Sequence, residues 1–213
     1  MMIDIGEKTM DEIKWLFFDI GSTLVDESKC YEYRCNEIIK SNGVNAEEFY
    51  AKVLDYAKIN AFPIKAAARH YGFKIPGWPK ELEQLYSKTK EILELLSHKY
   101  KLGIIANQVA GTQERIDNWS IGKYFDIVVA SAEAGCSKPD LRIFKIALEQ
   151  AECKPENAVM IGDRLDNDVT PAKKLGMKTV WVRQGFAKYQ FVYSDDERPD
   201  FIIDSISEII KLF

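Results

Sequence analysis

A short run of apolar and aromatic residues, followed at once by an aspartate, is the feature that most constrains the fold of this chain. Residues 13–18 show no alternation of polar and apolar side chains, which is typical of a strand buried on both faces of a parallel sheet. Asp19 follows this predicted strand directly, and Gly21 permits a sharp turn after it. In open α/β sheets, ligands bind at the carboxyl ends of the strands. We therefore predict that Asp19 faces a functional crevice.

The composition favours a folded protein with a small-molecule partner. The chain has 213 residues, and 46% of them are hydrophobic, which is enough for a substantial core. The net charge of −4, without a long run of one sign, argues against nucleic acid as a partner. Residues 1–12 lack the apolar core of a signal peptide, and no stretch has the length and apolarity of a membrane span. These features predict a soluble, cytoplasmic protein without membrane contact, and they leave its oligomeric state open.

Strand-like and helix-like segments alternate in the carboxyl-terminal half of the chain. The predicted strands are residues 101–106, 125–129, 158–161, 178–182 and 201–203. The predicted helices are residues 112–119, 140–150 and 168–175, with a last helix that contains Ile206, Ile209 and Ile210. Such alternation is typical of an α/β fold with a doubly wound, Rossmann-like parallel sheet.

A long, mostly helical segment separates the first predicted strand from the second. A crossover between parallel strands needs only about a dozen residues, whereas 88 positions separate Asp19 from Asn107. We therefore predict a small all-helical cap domain at residues 26–88 and a core domain made of residues 1–25 and 89–213. The cap is expected to lie over the strand ends. The entrance to such a site could be lined by Trp78, Arg183, Phe186 and Tyr189, although packing is the simpler prediction for all four.

Polar side chains follow the later strands as well. Asn107 follows the second predicted strand, Lys138 lies in the loop after the third, and Asp163 follows the fourth, with Asp168 close behind. Because the carboxyl ends of parallel strands meet at one edge of a sheet, we expect these side chains to lie beside Asp19. The carboxylates are oxygen ligands of the kind that Mg²⁺ prefers. The lysine can neutralise both the carboxylates and an incoming anion.

These motifs, in this order, resemble those of the haloacid dehalogenase superfamily over nearly the whole chain. The first family motif, Asp-x-Asp-x-Thr after an apolar strand, corresponds to residues 19–23. The second, a strand that ends in Ser or Thr, corresponds to the strand before Asn107, where an amide replaces the hydroxyl. The third is Lys138 followed by proline, and the fourth, Gly-Asp-x-x-x-x-Asp, corresponds to residues 162–168.

The resemblance implies a Mg²⁺-dependent phosphatase that acts on a small phosphorylated metabolite through an aspartyl phosphate. It implies Asp19 as the nucleophile, with Asn107 and Lys138 as further catalytic residues. The implied metal ligands are Asp19, the backbone carbonyl of Gly21, Asp163 and Asp168, the last directly or through water. The implied phosphate-binding groups are the backbone N–H groups of Ile20, Gly21 and Ser22, together with Asn107 and Lys138.

Gly21 departs from the pattern of the family. Most phosphatases of the family have an aspartate at this position, which protonates the leaving alkoxide and then activates water. General acid catalysis typically contributes about 10²–10⁴ in rate, so we predict slow turnover of alkyl phosphates and a smaller effect on aryl phosphates. The sequence leaves open whether another carboxylate, such as Asp26 or Glu27, replaces the missing group.

Other functions remain open at this point. Haloacid dehalogenases attack carbon with the same aspartate and without a metal, but they lack paired acids such as Asp163 and Asp168. Phosphonate hydrolysis tolerates a small residue at position 21 but requires a lysine in the cap. The candidates by residue type are Lys52, Lys58 and Lys65. A degenerate phosphate-binding or regulatory protein with little turnover is the alternative from a different functional class.

Overall fold

The computed structural model describes residues 12–213, which form a six-stranded parallel sheet and a separate two-stranded ribbon. The prediction that residues 1–12 are not a signal peptide therefore falls almost wholly outside the described residues. The strands are β1 (Trp15–Phe18), β2 (Val25–Asp26), β3 (Gln84–Leu85), β4 (Lys101–Ala106), β5 (Ile127–Ala130), β6 (Ala158–Gly162), β7 (Lys178–Val182) and β8 (Phe201–Ile203). The sheet has the order β5-β4-β1-β6-β7-β8, and β1 lies between β4 and β6.

Residues 12–213 also form eight α-helices. They are α1 (Ser28–Asn42), α2 (Ala46–Lys58), α3 (Pro63–His70), α4 (Thr89–Ser97), α5 (Thr112–Asn118), α6 (Ser131–Ala134), α7 (Leu141–Gln150) and α8 (Thr170–Lys174). Within residues 12–213, no helix combines the length and the apolarity needed to cross a membrane. The parallel sheet with helices on its two faces confirms the predicted doubly wound α/β fold.

The side chains of β1 belong to two hydrophobic clusters, one on each face of the sheet. Leu16 and Phe18 pack in the cluster that includes Leu93 of α4, whereas Phe17 packs in the cluster that includes Phe144 of α7. All five side chains are fully buried. Because β1 is covered on both faces, its sequence contains no polar positions, as the apolar run predicts.

The inserted segment has a hydrophobic cluster of its own. Apolar residues of α1, α2 and α3 pack together, among them Ile38, Phe49, Val53 and Ile64. The prediction of an all-helical segment at residues 26–88 is wrong in detail, because β2 and β3 pair antiparallel at its two ends. Two-residue strands are too short to show a hydrophobic period, so the sequence could not reveal them.

Two predicted helices also differ from the structure. The segment predicted as one α-helix at residues 168–175 begins as a π-helical turn, Leu165–Val169, and continues as α8. The last predicted helix is a 3₁₀ helix, Ile206–Lys211, in which Ile206 and Ile209 are buried. The apolar spacing of three residues in this segment suits a 3₁₀ helix as well as an α-helix, because side chains three positions apart lie on one face in both.

Replacing Gly103 by alanine is expected to lower the free energy of unfolding by about 1–3 kcal/mol, because the added methyl group overpacks the core. Gly103 of β4 lies beside Phe17 of β1, and a Cβ at Gly103 would lie 2.5 Å from the Phe17 ring. Urea unfolding measures the change. Gly77→Ala is the matched control, because a Cβ at Gly77 meets no heavy atom within 4 Å. Equal stabilities of the two variants would contradict this account of the strand contact.

Candidate active site

The sheet brings the predicted polar residues to one edge. Asp19 follows β1, Asn107 follows β4 and Asp163 follows β6, so the topology alone places three side chains at adjacent strand ends. The backbone N–H of Asp19 donates a hydrogen bond of 2.9 Å to the carbonyl of Ile161, which fixes the start of the loop after β1. This edge is the carboxyl end of the parallel sheet, where open α/β proteins bind their ligands.

Three carboxylates converge at this edge. Asp19, Asp163 and Asp168 offer oxygen atoms that all lie within 4.8 Å of one another. Burial raises the pKa of Asp163 well above its usual value, and the negative charges of Asp168 and Asp19 raise it further. Burial also raises the pKa of Asp168, although the ammonium of Lys138 opposes this shift. The folded chain therefore holds a concentration of negative charge that a cation would stabilise.

The ammonium of Lys138 lies between two of these carboxylates. Its Nζ donates hydrogen bonds of 2.6 Å to Oδ1 of Asp19 and to Oδ1 of Asp168, and its side chain is only 2% exposed. Burial acts to lower the pKa of Lys138, but the attraction of Asp168 and Asp19 outweighs it and the pKa is raised. The two ion pairs therefore favour the charged form of Lys138 at the centre of the cluster.

Asn107 holds the backbone of Lys138 in place. Its Nδ2 donates to the carbonyl of Lys138 at 2.9 Å, and its Oδ1 accepts from the N–H of Lys138 at 2.7 Å. This reciprocal pair uses one of the two amide hydrogens, and the other remains available to a ligand. Asn107 also lines the cavity above the strand ends.

The loop after β1 presents Gly21, but not Ser22, to the cavity. The N–H of Ser22 donates to the carbonyl of Val25 at 2.8 Å, so it is already used within the loop. The Oγ of Ser22 donates to Oε2 of Glu27 at 3.1 Å. Ser22 therefore shapes the loop, in contrast to its predicted role as a phosphate donor. The side chain of Ile20 is fully buried, which leaves only its backbone for a ligand.

Glu27 is a carboxylate of the cavity wall that sequence analysis left undecided. It accepts hydrogen bonds from the hydroxyl of Tyr31 at 2.6 Å and from Ser22 at 3.1 Å. Burial raises the pKa of Glu27 to about 7, a shift that these hydrogen bonds oppose and the charge of Asp19 reinforces. Asp26, the other carboxylate considered, accepts from the N–H of Ser28 at 2.9 Å and does not line the cavity.

A cavity of about 430 Å³ lies above the strand ends. Its floor includes the carboxylates and Lys138, and its walls come largely from the inserted segment and from the loop after β7. Of the four residues predicted at the entrance, Trp78 and Phe186 line the cavity, whereas Arg183 and Tyr189 do not. The aromatic wall also includes Tyr31, whose ring contacts the rings of Trp78 and Phe186.

A buried ion pair at the cavity was missed by the sequence analysis. Glu83, from the inserted segment, accepts hydrogen bonds from the guanidinium of Arg115 on α5 and a 2.5 Å bond from Nε1 of Trp78. Its side chain is 1% exposed. No local pattern signals this contact, because 32 positions separate the two charges in the chain.

The comparison with known families agrees with this geometry. A family-wide sequence profile described as "Haloacid dehalogenase-like hydrolase" matches residues 10–182. The chain belongs to the haloacid dehalogenase-like hydrolase family. The predicted family and the assignment of the chain as a hydrolase are thereby confirmed.

Individual relatives extend the match to nearly the full chain. A glyceraldehyde 3-phosphate phosphatase from Methanocaldococcus jannaschii is 33% identical over an alignment that covers 94% of this chain and 96% of the relative. A glyceraldehyde 3-phosphate phosphatase from Pyrococcus furiosus is 31% identical over an alignment that covers 95% of this chain and 94% of the relative. The crystal structure of a haloacid dehalogenase (HAD) phosphatase from Thermococcus onnurineus superposes with a TM-score of 0.64 at 24% sequence identity. The match covers 94% of this chain and 97% of the other, and it supports the fold.

Proposed function

We propose that this chain is a Mg²⁺-dependent phosphatase that hydrolyses a small phosphorylated metabolite through a phosphoryl group carried by Asp19. The observation that carries the proposal is the buried cluster of Asp19, Asp163, Asp168 and Lys138 at the carboxyl ends of the strands. The names of the relatives from Methanocaldococcus jannaschii and Pyrococcus furiosus favour glyceraldehyde 3-phosphate or a similar short phosphorylated carbonyl compound as substrate. The cavity of about 430 Å³ has room for a molecule of this class.

The residues at the strand ends fit Mg²⁺. Carboxylate oxygens of Asp19 and Asp163 would supply the hard oxygen ligands that this ion requires. In the proposal, the backbone carbonyl of Gly21 would supply another. Both oxygens of Asp168 already accept hydrogen bonds, from Lys138 at 2.6 Å and from the N–H of Arg164 at 3.0 Å. We therefore assign Asp168 a contact through water. When bound, Mg²⁺ offsets the repulsion between the attacking carboxylate and the phosphate group.

The proposed reaction uses the side chains of the site as follows. Asp19 attacks the phosphorus atom and becomes phosphorylated while the alcohol leaves. The ammonium of Lys138, held beside Asp19, stabilises the negative charge of the equatorial phosphate oxygens. The free amide hydrogen of Asn107 and the backbone N–H groups of Ile20 and Gly21 complete the proposed phosphate site.

Residues 26–88 form the cap of this proposal, and residues 1–25 and 89–213 form its core. The separate hydrophobic cluster of α1, α2 and α3 supports this division. Phe62, Trp78 and Tyr31 of the cap line the cavity opposite the strand ends. In this arrangement the cap contacts the part of the substrate that leaves as the alcohol, so we assign substrate selection to it.

The competing functions have weaker support. The acidic pair Asp163 and Asp168, which a metal-free dehalogenase does not need, is buried and oriented toward Asp19. Lys65 lines the cavity, but it is exposed and lacks the desolvation that activates a Schiff-base lysine. Lys58 is exposed, and Lys52 pairs with Asp55 at 3.6 Å. Measurement of phosphate release with and without Mg²⁺ distinguishes a regulatory protein without turnover from the proposed phosphatase.

Removal of Mg²⁺ is expected to lower phosphate release by at least about 10²-fold, because a catalytic cation supplies several kcal/mol of charge stabilisation. The measurement uses p-nitrophenyl phosphate and glyceraldehyde 3-phosphate with EDTA, followed by addition of excess Mg²⁺. Mg²⁺ is also expected to raise the urea midpoint of the wild type more than that of Asp163→Asn, because binding stabilises the folded state. Full activity in EDTA would refute the proposal. A Mg²⁺-dependent midpoint without phosphate release would indicate the regulatory alternative.

A further inference from the structure

Hydrolysis of an alkyl phosphate needs a group that gives a proton to the leaving oxygen and later accepts one from water. Among residues 12–213, the carboxylates that line the cavity are Asp19, Glu27, Asp163 and Asp168. In the proposed function, Asp19 is the nucleophile and the other two aspartates serve the cation. Glu27 is the cavity carboxylate to which that chemistry assigns no role.

The position of Glu27 depends on the absence of a side chain at Gly21. A Cβ built on Gly21 would lie 2.7 Å from Oε1 of Glu27 and 2.9 Å from Oε2. The carboxylate of Glu27 therefore occupies the space into which a side chain two residues after the nucleophile would extend. Glycine at position 21 admits the carboxylate from the start of α1 to this place.

Neighbouring groups hold this carboxylate in one orientation. Tyr31, one turn further along α1, donates a 2.6 Å hydrogen bond to Oε2 of Glu27, and Ser22 donates to the same atom at 3.1 Å. The ring of Tyr31 is fixed in turn between Trp78 and Phe186, at centroid distances of 5.4 and 5.1 Å. Both donors act on Oε2, so Oε1 is the atom available for proton transfer.

We infer that Glu27 is the general acid and general base of the reaction, in place of a side chain at Gly21; the inference rests on the proposed phosphatase function. As Asp19 bonds to phosphorus, the bond from phosphorus to the ester oxygen breaks, and that oxygen takes the proton of the Glu27 carboxyl. The resulting carboxylate then takes a proton from a water molecule whose oxygen attacks phosphorus. The bond from phosphorus to Asp19 breaks, inorganic phosphate leaves, and Glu27 is again protonated.

This assignment replaces the expectation that Gly21 slows alkyl-phosphate turnover. The proton carrier is present but comes from a different position in the chain. Gly21→Asp alone therefore brings a second carboxylate into the space of the first and is not expected to increase turnover.

Glu27→Gln is expected to lower steady-state hydrolysis of glyceraldehyde 3-phosphate by about 10²–10⁴-fold, because the amide neither donates a carboxyl proton nor accepts one. With p-nitrophenyl phosphate, whose leaving group needs no proton, Asp19 is still phosphorylated but attack by water is slow. Rapid mixing is therefore expected to show a burst of one nitrophenolate per protein molecule, followed by a slow steady state. Glu32→Gln is the matched control, because Glu32 is exposed on the same helix.

A variant that moves the carboxylate tests the inference independently of any folding defect. In the double variant Gly21→Asp with Glu27→Gly, the carboxylate extends from position 21 into the space that the Glu27 carboxylate occupies in the wild type. This variant is expected to recover most of the turnover that Glu27→Gln loses. Wild-type turnover by Glu27→Gln, or loss of turnover without a burst and without recovery in the double variant, would overturn the assignment while leaving the phosphatase function intact. Failure of the wild type to hydrolyse either ester would overturn both.

Discussion

Asp19→Asn is expected to abolish phosphate release, with kcat lowered by at least about 10³-fold, because the amide cannot attack phosphorus. The fold is expected to survive this change. Lys138 retains Asp168 as a partner at 2.6 Å, and Asp163 loses one of the negative charges that, after burial, raise its pKa. Initial rates with p-nitrophenyl phosphate at saturating Mg²⁺ measure the loss of turnover, and urea unfolding tests whether the fold survives.

Asp26→Asn is the matched control for this variant. Asp26 lies nearby in the sequence, at the end of β2, but its carboxylate accepts from the N–H of Ser28 and does not line the cavity. Its replacement is expected to leave turnover unchanged. Turnover of Asp19→Asn within about tenfold of the wild type would exclude Asp19 as the nucleophile, because loss of a nucleophile costs far more.

Lys138→Met is expected to lower the free energy of unfolding by about 3–5 kcal/mol when no Mg²⁺ is present. The ammonium lies 2.6 Å from Asp19 and from Asp168, and it is almost completely buried. Its removal leaves the buried carboxylates of Asp19 and Asp168 without their cation. The loss of folding free energy is therefore greater than that for a single neutral hydrogen bond. Turnover is expected to fall by about 10²–10³-fold, because one donor to the phosphate oxygens is lost. Urea unfolding and initial rates measure the two effects.

Lys101→Met provides the contrast that isolates burial. Lys101 also approaches a carboxylate, that of Asp126, at 2.6 Å, but these side chains are 64% and 36% exposed. An exposed ion pair contributes only about 0–1 kcal/mol, so this variant is expected to unfold at nearly the wild-type urea concentration. Equal losses of stability in the two variants would show that burial is not what makes Lys138 important.

The sequence predicted the sheet well because its central strands are buried on both faces. Residues 101–106 and 178–182, identified as apolar runs, are strands with the same bounds in the structure. The predicted strand at residues 125–129 begins two residues later, at Ile127, because Phe125 and Asp126 lie outside the pairing with β4. Turn chemistry and pairing partners, which fix such boundaries, are not contained in hydrophobic periodicity.

The convergence of the acidic residues was also predictable, because a parallel sheet aligns the ends of its strands. Asp19 and Asp163 follow adjacent strands and lie within ligand distance of each other. The finer contacts were not predictable. Ser22 turns its N–H toward Val25 because the loop closes on itself, and the carboxylate of Glu27 occupies the space that a side chain at Gly21 would enter. Both outcomes depend on the path of the loop rather than on residue type.

The central position of β1 has a consequence for synthesis and truncation of the chain. Its neighbours β4 and β6 begin at Lys101 and Ala158, so the cluster unites parts of the polypeptide that emerge from the ribosome far apart in time. A fragment that ends before residue 158 contains Asp19 and Lys138 but leaves one edge of β1 unpaired and lacks two of the carboxylates. Recovery of hydrolysis after denaturation therefore reports the completion of the whole sheet, because these distant contacts form only when the entire polypeptide has folded.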